Sequence, residues 1–165
     1  MSLQTFVALA EIISSVAVVL TLVVLAVSIR QNTRAQRVLA VESLTSAVVA
    51  INVPAMENPA LGSAVAKATL DWKSASRDER IIAHYFLFCY FKLAETAWYQ
   101  QKAGTLESGQ WQGWENTIRV YYHSAGVREH WWPARGRAYS PAFHDYLAQT
   151  TPPERIGTLS DIFGE

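Results

Sequence analysis

Apolar residues run almost unbroken from Phe6 to Ile29, FVALAEIISSVAVVLTLVVLAVSI, with one charge, Glu11, and neither Gly nor Pro. A lipid core of about 30 Å calls for about 20 mostly apolar residues in a helix, so this run predicts one membrane crossing. A single isolated segment satisfies its backbone polar groups in lipid only as a helix. The competing reading is a cleaved signal peptide, because Ala26-Val27-Ser28 resembles a small-x-small cleavage site. A signal peptide has a basic leading region and an apolar stretch of roughly 7–15 residues, and this run has neither. The anchor reading is preferred.

No Pro or Gly occurs before Pro54, so the helical pattern continues past the apolar run to Val53. At 1.5 Å per residue, some 50 residues make a rod of about 75 Å. Val38, Val41, Leu44, Val48 and Ile51 recur at spacings of three and four and predict a face packed on a following domain. Pro54 is expected to end the helix, since a proline pushes the preceding residue out of the α region.

Further signals punctuate the remainder. Asn58-Pro59 reads as a cap followed by proline, opening a short helix from Ala60 to about Trp72. Ser76-Arg77-Asp78-Glu79 is a capping box, and it opens a helix from Arg77 to Ala103 closed by Gly104. The middle of this helix, IIAHYFLFCYFKLAETAWY, is apolar on nearly every side. Its uninterrupted part, Ile81 to Phe91, is too short to span a bilayer, which assigns the helix to the centre of a core. Phe88, Phe91 and Trp98 are expected to be buried there, along with much of Val48 and Ile51. Another helix is expected from Trp111 to about Ser124, stopped at Gly126, then a short piece from Val127 through Trp132 to Pro133. Ser140-Pro141 repeats the cap-plus-proline signal and starts a helix through Phe143 and Leu147. From Thr150 the tail carries Pro152-Pro153 and little periodicity, so it is expected to be loosely ordered. No alternating apolar and polar run bounded by turn residues is present.

The predicted fold class is therefore all-α. An N-terminal transmembrane helix, about residues 6–29, continues as a long cytosolic helix through residue 53. A small helical bundle over 54–149 and a tail over 150–165 complete the chain.

Charge sets the orientation. The five residues before the run hold no Lys or Arg, while Arg30, Arg34 and Arg37 follow it directly. The positive-inside rule then places the N-terminus outside and the bundle in the cytoplasm, with the three arginines at the membrane interface. Membrane lipid is thus an expected partner. Fourteen basic residues balance fourteen acidic ones, without the clustered basic excess of a nucleic-acid footprint. Cys89 is the only cysteine, which excludes an intrachain disulfide and agrees with a reducing compartment. It sits between Phe88 and Tyr90 and reads as buried packing rather than as a nucleophile.

Candidate chemistry is sparse. The four histidines, His84, His123, His130 and His144, lack metal-ligand spacing and have no cysteine ligands to join them. No phosphate-binding glycine loop, nucleophile elbow or nucleotide fingerprint occurs, so no catalytic residue, metal or cofactor is assigned and the chain is read as a non-enzyme. Lys92 and Glu95 lie three apart on the aromatic helix and are expected to pair. Arg128, Trp131, Trp132 and Arg135 have the composition of a protein-binding patch. The same residues also suit a core closed by indoles under arginine stems, and that reading is preferred.

The polar residues inside the apolar run carry the functional expectation. Ser14, Thr21 and Ser28 lie seven apart, and Glu11, Val18 and Leu25 repeat the interval three residues earlier. Together they trace one seam. Small hydroxyl residues on a stripe let membrane helices approach and hydrogen-bond, at about 0.6 kcal/mol per contact. The alternative is that the hydroxyls bond back to their own helix while Glu11 reaches the outer interface. Self-association is preferred, which makes a homo-oligomeric scaffold or interaction protein the leading reading. A small homo-oligomeric ion channel with these helices lining its pore is the alternative.

The early glutamate Glu11, the span ending at Ile29-Arg30-Gln31-Asn32-Thr33, and the distal Arg128, Trp131, Trp132 and Phe143 resemble a group of small bacterial single-pass membrane proteins. That resemblance implies a bacterial inner-membrane location and a cytosolic helical domain, and it carries no activity with it.

Overall fold

A computed structural model describes residues 3–154. The fold is all-helical, a long N-terminal helix followed by a smaller helical bundle, as the periodicity predicts. Helix α1 spans Leu3–Glu57, α2 Pro59–Leu70, α3 Arg77–Lys102 and α4 Ser108–His123. A π turn (Val127–Trp131), the short α5 (Trp132–Arg135), a 3-10 turn (Gly136–Ala138) and α6 (Pro141–Gln149) follow. The chain divides into two compact units, Met1–Leu39 and Ala40–Glu165.

The first unit is the apolar part of α1. Within the second unit, the predicted α1 face is only partly used. Leu44 is buried against Ala97 and Leu106, with Val41 beside it, but Val48 is exposed. Ile51 is half-buried. The face is therefore narrower than the spacing implies, with Leu44 its one fully buried member and Val41 and Ile51 only partly covered. Pro54 also departs from expectation, because α1 runs through it to Glu57. One proline removes one backbone donor and disfavours the α region at the preceding residue without forbidding it. The Asn58 amide still donates to the Pro54 carbonyl at 2.9 Å, and Asn58 Oδ1 then caps α2 by accepting from the Ala60 amide.

Helix α3 is the centre of the bundle. Its capping box is formed in both directions: the Glu79 amide donates to Ser76 Oγ at 3.2 Å and the Ser76 amide donates to Glu79 Oε2 at 2.6 Å. At the other end Gly104 adopts φ 72°, in the left-handed region. Its amide donates to the Gln101 carbonyl, and the Thr105 amide to that of Gln100, which is the paired bonding of a Schellman end. Leu87, Phe91 and Ala94 are fully buried, and Trp98 nearly so. Phe88 is only half-buried, at the rim of the cluster. Cys89, expected in the core, is exposed. It falls on the one α3 face that the bundle leaves uncovered, a fact that apolar neighbours in sequence do not report.

Gly126 plays a different part from the one its type suggests. Its φ is −61°, an ordinary helical value, and α4 ends earlier, at His123. The glycine is needed for space. A Cβ there would lie 1.9 Å from the Ala68 carbonyl oxygen and 2.8 Å from that of Thr69. The last turn of α2 thus sits directly on the backbone that leads into the π turn. The expected loose tail from 155 onward lies outside the described residues. Its start is held, since Arg119 Nε donates to the Thr151 carbonyl at 2.8 Å.

Gly126→Ala should therefore cost about 3 kcal/mol, because the obstacle is backbone and cannot rotate away. Gly104→Ala, which meets no atom but strains φ, should cost about 1 kcal/mol. Phe91→Ala should cost about 3–5 kcal/mol, and Phe88→Ala clearly less. Urea unfolding of the full chain in neutral detergent, followed by tryptophan fluorescence, measures all four; equal losses at Phe88 and Phe91 would contradict the assigned centre.

Candidate functional site

Four groups of residues bear on function. The first is the apolar run itself. Helix α1 is long and apolar enough to cross a membrane, with a mean hydropathy of 2.8 in its most apolar window and none of that window buried. Ile12, Ile13, Val18, Val19, Leu22 and Val24 are all exposed, and at 100° per residue they face all round the helix. Glu11, Ser14, Val18, Thr21, Leu25 and Ser28 are exposed as well. Thr21 Oγ1 donates to the Ala17 carbonyl at 2.8 Å, and Ser15 Oγ to that of Glu11 at 2.8 Å. In the single chain these two hydroxyls use their protons within the helix and keep their oxygens as acceptors. Arg30, Arg34 and Arg37 are exposed just beyond the run.

The second group is the junction between α3 and α6. Glu95 is nearly buried, and its carboxylate has two duties. Oε2 accepts from Lys92 Nζ at 3.0 Å, the expected pair, and Oε1 accepts from the Ser140 amide at 2.6 Å. Lys92 Nζ also donates to the Ala138 carbonyl at 2.6 Å and sits 4.5 Å from the centre of the Tyr139 ring. Ser140 Oγ in turn accepts from the Phe143 amide and from the Tyr99 hydroxyl. Burial alone would raise the Glu95 carboxyl, but the Ser140 hydrogen bonds and the Lys92 charge outweigh it and hold the group below the usual glutamate range. The pair is an anchor for α6 rather than an acid–base couple.

The third group is the segment from Arg128 to Arg135, which the fold splits. Trp131 and Trp132 are buried and belong to the core. Arg128 turns back onto α4: its Nη1 donates to His123 Nδ1 at 2.9 Å, and its guanidinium lies 5.4 Å from the Tyr122 ring centre. His123 Nε2 then donates to Thr150 Oγ1 at 3.0 Å, which fixes the neutral tautomer. Burial, and then the Arg128 charge, lower the His123 pKa. Arg135 instead joins a different set of residues.

Those residues line an open cleft of about 500 Å³. Arg77, Arg80, Ile81, His84 and Tyr85 form one wall, at intervals of three, one, three and one along α3. His130, Trp131, Ala134 and Arg135 form the facing wall, with Trp72 alongside. Trp131 Nε1 donates to His84 Nδ1 at 3.1 Å, so neutral His84 carries its proton on Nε2. Burial, then the nearby Arg135 charge, lower the His84 pKa. No carboxylate among the described residues lines the cleft. Among the described residues none of its three arginines has an ion-pair partner within 4.0 Å, while Glu79, at the same helix start, is taken by Lys67 at 2.9 Å. Sequence reading passed over this cleft because Arg77 and Arg80 look like ordinary first-turn residues and lie 58 and 55 positions from Arg135. No protein-family model, curated protein or solved structure matches the chain.

The Glu95 anchor makes a pH prediction. Its folded pKa is depressed, so its contribution is fully present above the unfolded value of about 4.3 and is lost as pH falls through the lower folded value. Glu95→Gln should lower stability at pH 7 by about 2 kcal/mol, the worth of hydrogen bonds to a charged group. The gap between variant and wild type should shrink as acid protonates Glu95 below the ordinary glutamate range. Urea midpoints at several pH values would show it, and a gap that stays constant in acid would refute the anchor.

Proposed function

We propose that the chain is a single-pass membrane protein whose α1 anchors a helical interaction domain and associates with further copies of itself. The observation that carries the anchor is the apolar circumference of α1 from Ile12 to Ile29, uncovered on every side. An apolar helix of this kind belongs in a core or in lipid, and here no core covers it. Arg30, Arg34 and Arg37 support an orientation with the N-terminus outside and the bundle in the cytoplasm. The resemblance to small bacterial single-pass proteins supports the inner membrane as the location.

The seam supports self-association. Apolar character alone does not drive helices together in lipid; close approach and polar contacts do. Counting on by the same intervals from Leu25 and Ser28 reaches Asn32, Ala35 and Leu39, all exposed, so the stripe does not stop where the apolar run ends. A seven-residue repeat drifts only about 20° per heptad on a straight helix, which a shallow left-handed crossing absorbs. Glu11 at one end of the stripe favours a second reading, a channel with a carboxylate ring at its outer mouth.

Disulfide scanning from residue 10 to 28 tests the seam. Cys89 is exposed and must first be replaced by Ser. Crosslinking should peak at 11, 14, 18, 21, 25 and 28, and a flat profile would reject the seam. A C-terminal green fluorescent protein fusion should glow and a C-terminal alkaline phosphatase fusion should be silent; the reverse would invert the orientation. Planar-bilayer conductance abolished by Glu11→Gln would establish the channel reading in place of a closed seam.

A further inference from the structure

We propose that the cleft between α3 and the π turn–α5 segment binds a small organic phosphate, a phosphate or diphosphate group joined to a flat apolar body. Charge is the first argument. Arg77, Arg80 and Arg135 line one concavity whose lining, among the described residues, holds no carboxylate. Like charges placed together without counter-ions repel one another. In the same molecule four basic side chains are occupied, Lys67 by Glu79, Lys92 by Glu95, Arg128 by His123 and Arg119 by the Thr151 carbonyl, while Lys73 and Arg137 on the same unit are, like the cleft arginines, in no ion pair among the described residues. What sets the cleft arginines apart is that three of them line one concavity.

Geometry is the second argument. The guanidinium presents a planar fork of donors that matches phosphate oxygens. Three such cationic forks match the charge of a dianionic or trianionic group better than that of a single carboxylate ligand. His84 adds a directed donor, because its Nδ1 is held by the Trp131 indole and its proton is left on Nε2. Trp131 is itself buried, so this imidazole is oriented by the core and not by solvent. The same cleft is lined by Trp72, Ile81, Tyr85 and Ala134, an apolar and partly aromatic surface suited to a ring. A volume of about 500 Å³ lies in the range of small-molecule sites. The same chemistry would greet a phospholipid headgroup, but the aromatic lining and the concave shape favour a compact soluble ligand.

Isothermal titration calorimetry of the full chain in neutral detergent tests the assignment, with ADP, adenosine and a short-chain phosphatidylglycerol as probes. ADP should bind saturably at micromolar to millimolar concentration, and adenosine at least about ten-fold more weakly. Arg80→Gln and Arg135→Gln should each weaken ADP by about ten-fold or more with an unchanged melting temperature, since both side chains lie outside the core. Arg137→Gln, which is absent from the cleft lining, should leave binding unaltered. No saturable ADP binding would overturn the proposal, as would ADP binding indifferent to both cleft variants. Binding of phosphatidylglycerol without ADP would reassign the cleft to a lipid headgroup and overturn the soluble ligand.

Discussion

The bundle depends on how Phe91 is covered. This ring lies at the middle of α3, wholly out of solvent. Trp131 stacks near it at 5.5 Å between ring centres, Trp132 meets it at 5.1 Å, and Tyr139 closes the third side at 6.2 Å. All three covering rings come from a stretch of nine residues far along the chain. Burying a ring of this kind stabilises a fold by about 1.5–3 kcal/mol, and the edge and offset contacts add to that. To deliver two successive indoles to one side, the backbone takes a π turn, in which the Trp132 amide donates to the carbonyl of Val127. Successive residues diverge by about 100° in an α-helix, and the wider turn reduces that divergence.

Two other features follow from the same turn. Its entry must pass close to α2, which explains the requirement for glycine at 126. Its exit carries the chain to Tyr139 and Ser140, where Glu95 and Lys92 hold the start of α6. One carboxylate thereby orders both the end of the 3-10 turn and the α6 cap. A buried charge is costly unless it is paired and hydrogen-bonded, and Glu95 is both. Removing one partner would leave the others facing an unmatched group.

The π turn also shapes the cleft. With Trp131 drawn into the core, His130 and Arg135 remain at the surface facing the first turns of α3. The indole nitrogen of Trp131 is satisfied by His84, so the core and the cleft share one hydrogen bond. The cleft thus lies where packing has already fixed one of its side chains, that of His84. In the first unit the reading rests on composition alone, because an apolar circumference has the same meaning whatever follows it.

Local sequence determined the helices. The caps at Asn58, Ser76 and Ser140 and the stop at Gly104 are chemical signals within three or four residues, and each forms the bond expected of it. The all-α class, the central position of α3 and the Lys92–Glu95 pair were legible for the same reason. Tertiary structure decided whatever depends on which face is covered. Val48 shares the spacing of Leu44 and yet is exposed, Cys89 sits among aromatics and yet faces outward, and Gly126 serves α2 rather than the helix before it. The Trp131–Trp132 pair was legible as core material, but its π turn was not, since the widening answers to partners 40 and more residues away. The arginine cleft lay beyond the sequence altogether. Arg77 and Arg135 become neighbours only because Trp131 is pulled under α3, and no spacing along the chain encodes that burial.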